Sequence, residues 1–373
     1  MTLTASTDTA PARRQFLFPL LLAVAFLHGV FASGFIPILN KELGTQSGFA
    51  FALYFAGLVI GQLAIWRFGA LSRSRLAFSI YEIGFGLSLI YMGLFAGAEA
   101  LVSGRGLEGL AAGLATPLLF ARLVAAPSPL SIEKRIVRYN GVFALGFVLG
   151  PQIIAFSISN FDYRLCLLGF GFGFIALNIA LAPFLPPMAQ PDERSLKLGR
   201  LFAGSSWFEK FATLFYGKIF YGFLLAFVTA YAARYFAGIP VAALTVVLAV
   251  LFVAGNQLAA KTLHRFDKRG LEILLPLAIG GLLVLFYVSG MGWLLFVAAL
   301  LHAYLLFIAF LNFTTQIQSG REFALFNSLA DPGMVLGALC VTLGPPGLLA
   351  VALLGLLPLL YWRRWPRLWS QAT

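Results

Sequence analysis

Charge is scarce in this chain. Only 11% of its 373 residues are Asp, Glu, Lys or Arg, where a soluble domain carries roughly 25%, so a water-facing surface of ordinary polarity is excluded. Cysteine is limited to Cys166 and Cys340. Both lie inside apolar stretches, which excludes an extracellular disulfide framework and reads as packing. The sequence has no Gly-x-x-x-x-Gly-Lys-Ser/Thr loop and no His-Glu-x-x-His, so it offers neither a phosphate cradle for ATP hydrolysis nor a catalytic zinc site. No cofactor and no metal are expected.

What is present is apolar: 60% of the residues are hydrophobic and 15% aromatic. A helix crosses a bilayer in about 20 apolar residues, so a chain of this length holds a dozen spans and leaves no room for a soluble catalytic domain. Apolar runs between charges and Pro/Gly breaks predict twelve helices, at 16–38, 48–67, 76–98, 101–124, 137–158, 163–185, 210–232, 240–261, 271–289, 291–313, 323–343 and 345–362. The fold class is an all-α integral membrane protein.

The net charge of +12 would suggest nucleic acid if the basic residues formed one patch. They flank apolar runs instead, so the bilayer is the expected partner and nucleic acid is not. With the N-terminus in the cytoplasm, 21 basic residues fall in cytoplasmic segments or helix ends, three lie outside (Lys41, Arg164, Arg234) and two lie within spans (Arg105, Lys218). That asymmetry places both termini in the cytoplasm, at the inner membrane if the source is bacterial. Arg13-Arg14 followed by Ala32-Ser33-Gly34 resembles a twin-arginine export signal. The ordinary alternative is a cytoplasmic tail held by the arginines ahead of an uncleaved first helix. Trp362, Trp365 and Trp369, beside Arg363, Arg364 and Arg367, read as an interfacial anchor.

The longest interruption, Pro186 to Phe208, is charged and falls near the midpoint. It divides the chain into a tail at 1–15, a six-helix bundle at 16–185, a linker at 186–208, a second bundle at 209–362 and a tail at 363–373. An internal repeat supports the division: Asn140, Gly146 and Gly150 recur as Asn327, Gly333 and Gly337, each 187 residues later. Gln62-Leu63-Ala64 is echoed by Gln257-Leu258-Ala259. Repeated halves of this kind rock about a midplane site in many transporters.

In the fourth span, Arg105-Gly106-Leu107-Glu108-Gly109-Leu110-Ala111-Ala112-Gly113 puts an arginine and a glutamate three residues apart on one helix face, so each lowers the other's cost of lying in low dielectric. Gly109 and Gly113 permit close approach of another backbone. In the fifth span, Gly146-Phe147-Val148-Leu149-Gly150-Pro151 combines small residues four apart with a bend at Pro151. After the second span, Gly61, Arg67, Gly69, Arg73 and Arg75 mark a short basic loop. Together these segments resemble the major facilitator superfamily over essentially the whole chain. The resemblance implies two pseudo-symmetric six-helix bundles with the first, fourth, seventh and tenth helices lining a central cavity, and it gives Arg105 a place near substrate or proton transfer. A helix clamp with a neutralised arginine explains the same residues.

The fifth-span pattern resembles a signature found mainly in exporting antiporters, although Gln152-Ile153-Ile154 replaces its further glycines. The second-span loop resembles the family's gating loop without its aspartate, Ile65 or Trp66 standing there, and Asp267 in the matching loop of the second half is a candidate for that lock. The ionisable residues within spans are His28, Glu82, Arg105, Glu108, Lys218, His302 and Asp331, and five of the seven fall on the four cavity helices. Lys218 and Asp331 lie about nine residues from Glu209 and Glu322 at their helix starts, hence at similar depth and able to pair. Glu82 is expected at the periphery, meeting basic loop residues. His28 and His302 titrate near neutrality or serve as hydrogen-bonded packing residues.

The expected function is a monomeric secondary active transporter that moves a small organic solute by alternating access, outward and in exchange for protons. His28, Arg105, Glu108, Lys218, His302 and Asp331 form the substrate or proton pathway, and Gly61, Gly109, Gly113, Gly146, Gly150, Pro151, Gly333 and Gly337 serve gating and helix packing. Arg105 and Lys218 attract an anionic group, with Glu108 or Asp331 as proton carriers. Two alternatives stand: a facilitator or proton-coupled importer, and a polytopic membrane enzyme, which needs catalytic acids or histidines in a substantial interfacial loop. Reporters fused after Thr373 and inserted within 186–208 should both report cytoplasm; either one outside breaks the twelve-span topology.

Overall fold

The computed structural model describes residues 10–68, 74–95, 97–126, 128–130, 132–185, 207–314, 320–357 and 359. Nearly all of the expected linker and the tryptophan-arginine anchor lie outside the described residues. The described chain is helical throughout: α1 Ala10–Gly34, α2 Ile36–Leu43, α3 Ser47–Arg67, α4 Arg75–Leu94, α5 Ala98–Ala125, α6 Ile132–Asn160, α7 Tyr163–Leu181, α8 Trp207–Tyr235, α9 Val241–Thr262, α10 Lys268–Ser289, α11 Trp293–Thr314, α12 Gly320–Ala330, α13 Pro332–Thr342 and α14 Pro345–Leu354, with short 3-10 turns between some of them. A bilayer core leaves no water to satisfy backbone N–H and C=O groups, so a spanning chain must close them within helices.

Eight helical stretches among the described residues are long and apolar enough to cross a membrane, and the first, Phe16–Arg67, has the length for two passes. Some helices, such as α6 and α8, run several residues beyond the apolar runs that predict them, while α4, α7 and α14 end short of them. Two spans are broken. The first continues past Phe35 into α2, which has Pro37 in its first turn. The eleventh is split at Asp331 ahead of Pro332 into α12 and α13, eleven residues each; proline lacks the N–H that would continue the helical hydrogen bonding.

The most extensive helix pairings fall within each half: α1 with α6, α3 with α5 and α4 with α7 in the first, then α8 with α13 and α9 with α11 in the second. Lipid is as apolar as leucine, so contact between spans depends on close fit and not on the hydrophobic effect. Glycine provides the fit. A Cβ at Gly109 or Gly113 on α5 would run into the Tyr54 or Leu58 carbonyl on α3, and Gly61 on α3 faces the Leu110 carbonyl in return. Gly146 and Gly150 on α6 sit against the Phe26 and Val30 carbonyls of α1, and Gly333 and Gly337 on α13 against those of Phe215 and Ile219 on α8. The repeat spaced by 187 residues is therefore one packing seam used twice. Pro151 lies inside α6.

Across the halves, α3 meets α12 and α13, and α6 meets α9. We call the face where α1 begins proximal and the opposite one distal. On the distal side Asn40 Nδ2 donates to the Thr229 carbonyl and Gln152 Nε2 to the Ala242 carbonyl, both at 2.5 Å. On the proximal side the Phe120 and Phe323 rings stack with centroids 4.5 Å apart. Side chains such as Phe156, Leu165 and Val288 point outward, each more than 60% exposed, as a lipid-covered surface requires.

Gly337→Ala should lower the apparent melting temperature of the purified protein, since its new methyl meets a backbone carbonyl that cannot turn away, a cost of about 1–3 kcal/mol. Gly141→Ala, with nothing within 4 Å of the added carbon, should leave it within a degree or two of the parent. Equal melting temperatures would dismiss the seam.

Candidate functional site

Arg105 and Glu108 lie one turn apart on α5, and both are fully buried. Arg105 Nη1 donates to Glu108 Oε2 at 2.6 Å. The guanidinium carbon stands 4.1 Å from the ring centre of Tyr54, 4.7 Å from that of Phe35 and 5.7 Å from that of Phe51. Aromatic faces attract a cation, and the attraction strengthens when water is excluded. Arg105 Nε and Nη2 and Glu108 Oε1 nevertheless have no hydrogen-bond partner. Buried polar groups are rarely left so; this cluster holds donor and acceptor capacity in reserve.

The second cluster joins the two halves. Lys218 Nζ on α8 lies 2.7 Å from Asp331 Oδ1, and Gln62 Nε2 on α3 donates to Asp331 Oδ2 at 3.0 Å. Asp331 sits at the break in the eleventh span, where its side chain caps no helix and is left for these two partners. The depth argument from the sequence thus meets its pair. Gln62, noticed in the sequence only as part of a repeat, supplies the link to the first half.

The third pair corrects an expectation. Glu82 is not peripheral: it is fully buried and its Oε2 lies 2.9 Å from His28 Nε2. The Phe85 and Phe174 rings stand 5.0 and 5.9 Å from the imidazole. A signal for this was in the sequence, because Phe78, Glu82, Phe85 and Leu89 follow helical spacing, and all four are buried. His302 donates from Nε2 to the Gly217 carbonyl at 2.8 Å beside the Phe220 ring, the geometry of a packing histidine. Asp267 is exposed, and its Oδ2 accepts from the Gly270 N–H at 2.9 Å, capping the start of α10. Among the described residues no cluster of His, Cys, Asp or Glu could hold a metal ion.

The site combines three buried acid–base pairs with aromatic rings, and among the described residues the halves touch near both faces. That arrangement suits binding and enclosure of a solute. Residues 17–338 match the sequence profile of the Major Facilitator Superfamily. A search of curated proteins finds no match. Among solved structures the chain is similar to a bacterial homolog of the human lysosomal transporter Spinster, in an inward-facing and occupied conformation, at 16% identity over 90% of this chain and 82% of that one, with a TM-score of 0.65. It is also similar to the human organic anion transporter MFSD10 (TETRAN), at 14% identity over 93% of this chain and 99% of that one, with a TM-score of 0.62. These likenesses are of fold, and they agree with the helix pairing above. The chain belongs to the major facilitator superfamily: it is an integral multi-pass membrane protein and a secondary transporter, not an enzyme.

Proposed function

We propose that this transporter moves a small organic anion together with a proton, by rocking of the bundles at residues 16–185 and 209–362 about a site between them. The observation that carries the reading is the Lys218–Asp331–Gln62 cluster, which ties a titratable carboxylate to both halves at once. Protonating Asp331 removes the negative charge that faces Lys218 at 2.7 Å, and an anionic solute would supply another in its place. Conversely, an anion drawn to Lys218 leaves Asp331 without its cation and favours the proton. Linkage is reciprocal, so each ligand promotes the other. The unpartnered N–H groups of Arg105 offer a second contact for the same anion.

Outward exchange is the second reading, supported by the resemblance of Gly146 to Pro151 to an exporter signature. Exchange needs solute and proton to compete for one site, as a cation competing for Asp331 would. In the structure Gly146 and Gly150 pack against α1, a role that helix contact alone explains.

The test is a panel of radiolabelled mono- and dicarboxylates offered to proteoliposomes with an imposed pH gradient, with and without a protonophore. Uphill movement should follow the proton, and Asp331→Asn should cut it at least about tenfold, the loss expected when one charge of a buried pair is removed, while exchange across equilibrated membranes survives. Solute moving against the proton would favour the exchange reading, and unchanged uphill transport in Asp331→Asn would remove Asp331 from the mechanism.

For the fourth span, Arg105→Ala should reduce the amount of folded protein, because it strands Glu108 at a cost of about 3–5 kcal/mol. Arg105→Met with Glu108→Gln should restore abundance, since a neutral pair has little desolvation cost, yet abolish uptake of the transported carboxylate. A folded double variant with ordinary transport would reduce Arg105 to a helix clamp.

A further inference from the structure

Three acidic side chains of the described spans are buried against a base, and the three bases differ. Glu108 faces an arginine and Asp331 a lysine. Arginine and lysine bring a full positive charge of their own, so those two pairs reach electrical neutrality with their carboxylates ionised and need no shared proton for it. Glu82 faces His28. Imidazole carries charge only when protonated, so this third pair is neutral only while it holds one proton, on the ring or on the carboxyl group.

Among the described residues no second cation pairs with Glu82. Of the helices around the pair, α5 contributes Arg105 and Glu108, already closed on each other at 2.6 Å, and Arg122, whose guanidinium lies over the Phe78 ring and donates to the Ser74 carbonyl at 3.1 Å. From α6 comes Tyr139, within electrostatic reach of Glu82 and neutral as a phenol. From α7 comes the Phe174 ring, and α4 itself adds Phe85. Glu82 Oε1 is buried with no hydrogen-bond partner. A bare carboxylate in this place would be a buried charge without compensation, which costs several kcal/mol.

We infer that His28 and Glu82 form a second proton-binding site, separate from Asp331 and contained within the first half of the chain. One proton is held between His28 Nε2 and Glu82 Oε2 while the site is dry. When water reaches the pair the proton passes to it, leaving neutral imidazole and a hydrated carboxylate, and rebinding reverses the step. The use of this proton in transport rests on the proton-coupled reading above; its binding does not.

The test is proton occupancy by 15N-histidine NMR of the full chain in nanodiscs, between about pH 5 and 9. The chain has three histidines. The exposed His264 is identified by loss of its signal in His264→Gln. Two imidazole signals should change protonation form in the parent, His264 and one other. In Glu82→Gln the second should stay neutral throughout, because a protonated ring would then be an unpaired buried cation. His28→Gln provides an independent check, since the second titrating signal must vanish from it even if Glu82→Gln fails to accumulate. Titration of His264 alone in the parent, or a second titration unaltered by Glu82→Gln, would overturn the site. A titrating pair in a protein whose transport ignores the pH gradient would uphold the site and reject the coupling.

Discussion

Inside a bilayer a charge must bring its own partner, and most of what distinguishes this protein from a plain bundle of apolar helices follows from that requirement. Water is absent, the dielectric is low, and an isolated ion costs several kcal/mol even after relaxation. The chain nevertheless carries buried Glu82, Arg105, Glu108 and Asp331, each within salt-bridge distance of an opposite or potentially opposite group. Pairing lets such residues sit where a solute is enclosed. It also makes any change in one partner's charge an event that its helix must answer.

The same setting shapes both the packing inside each half and the contact between them, where α3 lies along α12 and α13. Within a half, helices meet through glycines whose neighbours are backbone atoms, as along α3 with α5 and α8 with α13. Contacts of that kind hold one geometry, because the backbone has nowhere to move. Among the described residues, Asn40, Gln152 and Gln62 make polar contacts between the halves, through side-chain amides that can let go and find another acceptor. Rigid units with an exchangeable join are what rocking requires.

Much of this was legible beforehand. The spans followed from apolar length, and the seam shared by Gly146 with Gly150 and Gly333 with Gly337 followed from the repeat. The pairing of Lys218 with Asp331 followed from counting residues up two helices. Glu82 is placed by its own stripe of Phe78, Phe85 and Leu89, all buried, and the ordinal position of its helix in the family architecture does not reveal that facing. Gln62 was passed over because an amide has no charge to draw attention, although burial makes its hydrogen bonds as exacting as those of an ion. The ring cage of Phe35, Phe51 and Tyr54 around Arg105 was hidden for another reason: its members are far apart in sequence, and only the fold brings them to one guanidinium.

The three buried pairs are not equivalent as devices. Glu108 is held by an arginine on its own helix, a bond that persists whichever way the bundles tilt, so its state carries no record of their relative position. His28 and Glu82 sit on α1 and α4 of one half and sense hydration of that half alone. Asp331 is different: one oxygen faces Lys218 on α8 and the other faces Gln62 on α3, across the join. Moving the halves apart removes one partner and leaves the other, so the energy of its ionised form changes with the conformation of the whole protein. In the proposed cycle conformation and protonation are then linked, and by reciprocity a proton on Asp331 would bias the position of the bundles.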